Sequence, residues 1–201
     1  KTGTITEGAI SVAAMVDSSG QPSELVKRLG VWNASLESGY ANPIDEALKK
    51  IKLEGAPAVT RIGEVPYDFI RKRLSIAVDT GPEKWLISKG AYAQIAGICS
   101  QVQMPDGTTG SFADHSESIE QQYAAYGNKG FRAIGICYKK QVNGPVTREL
   151  ETDMIFAGFI LLQDPVKAGI LETIGELASL QVGIKIITGD NKNVARSIAA
   201  G

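Results

Sequence analysis

The stretch Val65-Pro66-Tyr67-Asp68-Phe69-Ile70-Arg71-Lys72-Arg73-Leu74-Ser75-Ile76-Ala77-Val78 decides how this chain is read. Its second half alternates Leu74, Ile76 and Val78 with smaller residues, the two-residue period of a strand with one buried face. Residues 59–65 just before and 85–88 just after also read as strands, bounded by turn-forming residues. The first half of the stretch sets two aromatics against three cations. On a strand, Tyr67, Phe69, Arg71 and Arg73 share one face, and Asp68, Ile70 and Lys72 the other. An aromatic ring beside positive charge suits a nucleotide, with a flat surface for the base and cations for phosphate. The plainer reading of the same residues is an edge strand with a charged rim.

Working outward, residues 22–38 read as a helix with Leu25, Leu29, Trp32 and Leu36 on one face. Asn42-Pro43 supplies an N-cap and a proline at the first helical position. The helix that follows turns Ile44, Leu48 and Ile51 inward and stops near Gly55. Lys89-Gly90 closes the strand 85–88. Lysine supplies a point charge there and glycine allows close backbone approach to a ligand, although such a pair at a strand end is more often a plain turn. Residues 91–102 are expected to be helical, and residues 105–110 a turn. Asp114 and Glu117 make a D-x-x-E capping box ahead of a helix with Ile119, Tyr123 and Tyr126 inward. Residues 131–138 and 154–162 are further strands. Strands outnumber the helices able to cross between parallel neighbours. The expected fold is therefore α+β, an antiparallel sheet with helices packed on it.

After Asp164-Pro165-Val166-Lys167 the pattern changes. A helix at residues 170–180, an apolar strand at 184–187 and a helix opening at Asn191 form a βα pattern typical of a parallel sheet. A second, incomplete domain is expected to begin near Asp164.

Composition narrows the classes. The chain has 201 residues, 43% hydrophobic and 21% charged, as in ordinary globular proteins. A net charge of −1 gives no general attraction to nucleic acid. No apolar run reaches the roughly 20 residues of a membrane span. Cys99 and Cys137 are scattered and read as reduced, buried thiols of a cytosolic protein. His115 reads as a surface-loop histidine, and nothing resembles a zinc site. Neither a Walker phosphate loop nor a dinucleotide fingerprint is present.

Seven short segments occur in one order: Lys1-Thr2-Gly3-Thr4-Ile5-Thr6, Asn42–Leu48, Val65–Ser75, Lys89-Gly90-Ala91, Gly130-Phe131-Arg132-Ala133, Asp164-Pro165 and Thr188-Gly189-Asp190-Asn191. Together they resemble the large cytoplasmic loop of a P-type cation-transporting ATPase, across essentially the whole chain. Residues 65–75 and 160–165 are most similar to the magnesium-transporting subfamily. The resemblance implies a nucleotide-binding domain at residues 9–163, inserted in an incomplete Rossmann-like, haloacid-dehalogenase-type phosphorylation domain at residues 1–8 and 164–201.

It also implies roles for single residues. Adenine stacks on Tyr67, Lys89 and Gly90 line the adenine cleft, Asp45 faces the nucleotide, Lys72 matches a cleft lysine, and Arg132 reaches the phosphates. Thr188, Gly189 and Asp190 resemble the loop that receives the γ-phosphate. Lys1 and Thr2 follow the expected position of the phosphate-accepting aspartate, which would precede Lys1, and the Thr2 carbonyl would face Mg²⁺. Three positions depart from the family's pattern: Tyr67 replaces a common Phe, Phe69 a phosphate-binding Arg of calcium pumps, and Val166 a second hinge Pro.

The implied reaction is transfer of the γ-phosphoryl of Mg-ATP to an aspartate, giving an aspartyl-phosphate. The implied partners are ATP and the transmembrane and actuator domains of the same pump, at the cytoplasmic face of the cell membrane, with no nucleic acid. The fragment itself is expected to be inactive, and a monomer or weak dimer. Alternatives are a calcium or other cation pump, a stand-alone nucleotide-binding module, or a haloacid-dehalogenase-like phosphatase.

Overall fold

One eight-stranded sheet organises a computed structural model that describes residues 5–39, 42–55, 57–165, 167–183 and 185. Its strands are β1 (Ser11–Asp17), β2 (Thr60–Val65), β3 (Arg73–Asp79), β4 (Lys84–Ala91), β5 (Cys99–Gln103), β6 (Thr109–Ser111), β7 (Arg132–Lys140) and β8 (Met154–Gln163). The order is β2-β3-β4-β7-β8-β5-β6, with β1 also on β8. All the pairs are antiparallel except β5 with β8. The expected antiparallel sheet is therefore present, with one parallel pair added.

Helices cover both faces. α1 (Glu24–Leu36) and α2 (Pro43–Lys49) pack Leu29, Trp32 and Leu48 onto Leu74, Ile76, Ile87, Ile136 and Ile160. α3 (Tyr92–Ala96) and α4 (Phe112–Asn128) pack Tyr92, Ile95 and Ile119 onto Ala77, Leu86, Cys137, Phe156 and Phe159. Alternation along β3, β4 and β7 decides which layer each side chain joins. In β8 the alternation breaks: Phe156 and Phe159 share the α3/α4 layer. Gly158 lies between them at φ +150°, and a Cβ there would sit 2.0 Å from the Val16 carbonyl oxygen. It marks the point where β1 takes over from β5 as the neighbour of β8.

Local signals account for most elements. Ser23 caps α1 by accepting from Val26 N at 3.3 Å. Asn42 caps α2 by accepting from Ile44 N and Asp45 N, each at 3.0 Å, with Pro43 next. Elsewhere the structure differs from the expectation. Residues 66–72 are a turn rather than a strand, and residues 91–102 are not one helix. α3 stops at Ala96 before Gly97, and β5 begins at Cys99. Asp114 and Glu117 form no capping box, because α4 already starts at Phe112, and His115 is therefore helical rather than in a loop. β1 carries too weak an alternation to be read from sequence, and pairing with β8 decides it. Cys137 is buried and Cys99 half-buried, both unbridged.

α5 (Ile170–Ser179) matches the expected helix, and none of its residues is buried by the described chain. The expected strand 184–187, the helix from Asn191, and Val166 lie outside the described residues, apart from Lys185.

Candidate functional site

Lys89 comes from β4 on the α1/α2 face, yet only 7% of the residue is exposed. Its Nζ donates to Asn33 Oδ1 at 2.5 Å, and lies 2.5 Å from Asp45 Oδ1 and 3.7 Å from Glu37 Oε2. Asn33 is fixed by donating from Nδ2 to the Ile87 carbonyl at 2.8 Å. Asp45 also accepts from the Asn42 side chain. The Asp45 Oδ1 contact with Lys89 is an ion contact without hydrogen-bond alignment, and among the described residues Glu37 Oε1 has no hydrogen-bond partner. Burial, then Asp45, push the Glu37 carboxyl up to about 7, against the pull of Lys89.

A second network fixes the turn that carries Tyr67. Asp68 Oδ1 accepts from Ile70 N at 3.0 Å and Arg71 N at 2.7 Å. The Arg71 guanidinium then donates to both oxygens of Glu151 at 2.7 Å and to the Pro66 carbonyl at 2.5 Å. Arg73 Nε adds a bond to Glu151 at 2.9 Å, and Ser75 Oγ one at 2.6 Å. The Glu151 side chain is fully buried. Two of the three cations read as phosphate binders are thus spent on a buried carboxylate. The same anchorage pushes Tyr67, Phe69 and Ile70 outward, at 50%, 86% and 91% exposure. Tyr67 and Phe69 meet edge to face, centroids 5.6 Å apart.

At Gly90 the close approach is made by the chain itself. A Cβ there would lie 2.4 Å from the Lys72 carbonyl oxygen, and Ala91 N donates to that oxygen at 3.0 Å. Lys72 turns with φ +48° to make this contact. Gly90 faces Arg73 across β3 and Gly135 across β7. Arg132 opens β7, exposed, in the same alternation as Ile134 and Ile136, hence on the Lys89 face. The turn before β3, the end of β4 and the start of β7 thus meet at one end of the sheet. β8 ends and β1 starts there too.

That end carries a two-stranded connection. Asp164 accepts from Thr6 Oγ1 at 2.6 Å and from Gly8 N at 2.9 Å. Glu7 N donates to the Pro165 carbonyl and Lys167 N to the Ile5 carbonyl, each at 2.9 Å. Residues 5–8 therefore run beside Asp164, Pro165 and Lys167.

The sheet topology gathers Asp45, Tyr67, Lys72, Lys89, Gly90 and Arg132 into one half of the molecule. Lys1, Thr2, Thr188, Gly189 and Asp190 lie outside the described residues. Sequence reasoning missed Asn33, Glu37 and Glu151. Asn33 left one signal, a polar residue beside Trp32 on a helix that packs against the sheet. Glu151 left none. Among the described residues no group of three or more His, Cys, Asp or Glu is placed to hold a metal, and no helix is long and apolar enough to cross a membrane.

A helix-flanked, largely antiparallel sheet with an exposed aromatic and a buried lysine at one end fits a cytoplasmic domain of the P-type ATPase class. The chain belongs to the family of P-type ATPase cytoplasmic N domains, whose family profile matches residues 3–169. It is 30% identical over 206 residues to "Magnesium-transporting ATPase, P-type 1" of Escherichia coli (strain K12), covering 98% of this chain and 23% of that protein. The protein of the same name from Salmonella typhimurium (strain 14028s) is 28% identical over 210 residues, with the same coverage. The "Endoplasmic reticulum calcium ATPase srcA" of Aspergillus fumigatus is 25% identical over 197 residues, covering 89% of this chain and 20% of that protein. The chain thus spans about a quarter of the length of the curated relatives it matches.

Proposed function

We propose that this chain binds adenine nucleotide at the connected end of its sheet and presents it within a P-type pump that moves a cation, magnesium in this reading. The observation that carries the proposal is the turn at residues 66–72. Its Arg71, together with Arg73 at the start of β3, is consumed by Glu151 while Tyr67 is held half exposed. Buried ion pairs that fix an outward aromatic ring suit a stacking surface for a base. Lys89 lies at the same end of the sheet with its charge balanced by Asp45 and Glu37, and Arg132 supplies an exposed cation on the same face.

In this reading residues 9–163 hold the nucleotide, and residues 1–8 and 164–201 belong to the phosphorylation domain. Lys1, Thr2, Thr188, Gly189 and Asp190 serve the phosphate end, with Mg²⁺ at the Thr2 carbonyl. Mg²⁺ supplies charge neutralisation to the phosphates. ATP hydrolysis through an aspartyl-phosphate, transport, the transmembrane and actuator partners and a place at the cytoplasmic face of the membrane belong to the whole pump. Support comes from the family and from the magnesium-transporting relatives.

Stacking contributes about 1–3 kcal/mol and one or two charged contacts about 1–2 kcal/mol more. The sum of about 2–5 kcal/mol corresponds to a Kd for ATP between about 0.2 mM and about 30 mM. Calorimetric titration with ATP and GTP tests this, and equal or absent heats for both at 10 mM would refute an adenine site.

A further inference from the structure

Two carboxylates face one ammonium in the Lys89 cluster. Glu37 is the C-terminal cap residue of α1 and Asp45 lies in the first turn of α2. The side chains of Glu37, Asp45 and Lys89 are each less than one-tenth exposed. The contacts are unequal. Asp45 takes the short one, at 2.5 Å, while Glu37 stands 3.7 Å away and its Oε1 meets no donor among the described residues. Asn33 offers Lys89 a neutral acceptor, and its Nδ2 directs its two protons to the carbonyls of Ile87 at 2.8 Å and Leu74 at 3.5 Å rather than to Glu37. A second buried anion without a donor is costly, and a proton removes that cost. The other charges nearby are committed. Lys49 of α2 pairs with Glu46 at 3.1 Å, and on β2 Arg61 pairs with Glu64, which accepts from Ser38.

We propose that Glu37 is a positioning residue that takes up a proton when an anionic nucleotide binds beside Lys89, so that binding and protonation reinforce each other. The inference rests on the nucleotide reading above. With Glu37 protonated, Lys89 and Asp45 cancel and the cluster is neutral. With Glu37 ionised, two negative charges and one positive leave a net charge of −1. That charge repels phosphate and draws the ammonium inward. A ligand that prefers the protonated form must raise the proton affinity of Glu37 by the same factor. The carboxyl titrates near neutrality, where a modest bias changes its state.

The test follows the Glu37 side-chain carboxyl by ¹³C NMR from pH 5 to 9, with and without 10 mM ATP, and measures ATP affinity at pH 6 and pH 8. The midpoint is expected to rise by about half a unit with ATP, a roughly threefold coupling. Glu37→Gln should remove that part of the pH dependence of affinity. What remains belongs to the phosphates of ATP and is common to both proteins. A carboxyl that serves structure alone keeps one midpoint with and without ATP, and that result overturns the proposal. So does a folded Glu37→Gln chain that keeps the full pH dependence. If ATP moves no resonance at any pH, the nucleotide reading falls and the coupling with it. In that case Glu37 still titrates, so the two failures are distinguishable.

Discussion

Tyr67 and Arg71 lie four residues apart and face opposite ways. Arg71 points inward, onto a carboxylate 80 residues later in the chain. Nothing in residues 65–75 distinguishes a guanidinium that binds phosphate from one that satisfies a buried acid, because Glu151 decides it and carries no local signature. Tyr67 was legible as an exposed aromatic, and its ring is held outward as a stacking surface requires. Two substitutions separate the roles. Arg71→Ala leaves the Glu151 carboxylate short of donors and should destabilise the fold by about 3–5 kcal/mol, read as a lower urea midpoint. Tyr67→Ala should leave that midpoint in place and weaken ATP binding by about 1–3 kcal/mol, while Tyr67→Phe costs little because the ring persists. Loss of binding in Tyr67→Phe would show that the hydroxyl, not the stack, holds the ligand.

At the scale of elements, what was legible followed local physical chemistry. Asn42-Pro43 starts α2 because side-chain acceptors and a missing N–H suit a helix start wherever it is placed. The strands β3, β4, β7 and β8 were visible through apolar alternation or apolar runs. β1 and β5 were not, because each depends on β8 as a distant partner. Residues 91–102 misled for the same reason: their composition suits a helix, and the parallel pairing of Cys99–Gln103 with β8 overrides it. Gly158 is where these pairings meet. Its φ of +150° is barely open to other residues, and a methyl there collides with Val16. Gly158→Ala should cost more than about 1 kcal/mol and lower the unfolding midpoint. An unchanged midpoint would mean that β1 does not lie against β8 as described.

At the scale of the whole molecule, the sheet brings the ends of distant segments together. The turn before β3, the end of β4, the start of β7 and residues 5–8 paired with Asp164, Pro165 and Lys167 share one end, although they span most of the described chain. That convergence was not legible from spacing, since the order β4-β7-β8 skips two strands. It rests on burial of both faces of the central strands. Among the described residues no candidate lies at the opposite end, with the turn between Asp79 and Lys84. The central claim is that adenine nucleotide occupies the connected end. Amide chemical-shift mapping of the ¹⁵N-labelled chain tests it most directly, with ATP raised to 10 mM and GTP as the comparison. ATP-dependent shifts are expected at Tyr67, Lys89, Gly90 and Arg132 with residues 79–84 unmoved; shifts centred on residues 79–84, or none at Tyr67 and Lys89, would rule out a nucleotide site at the connected end.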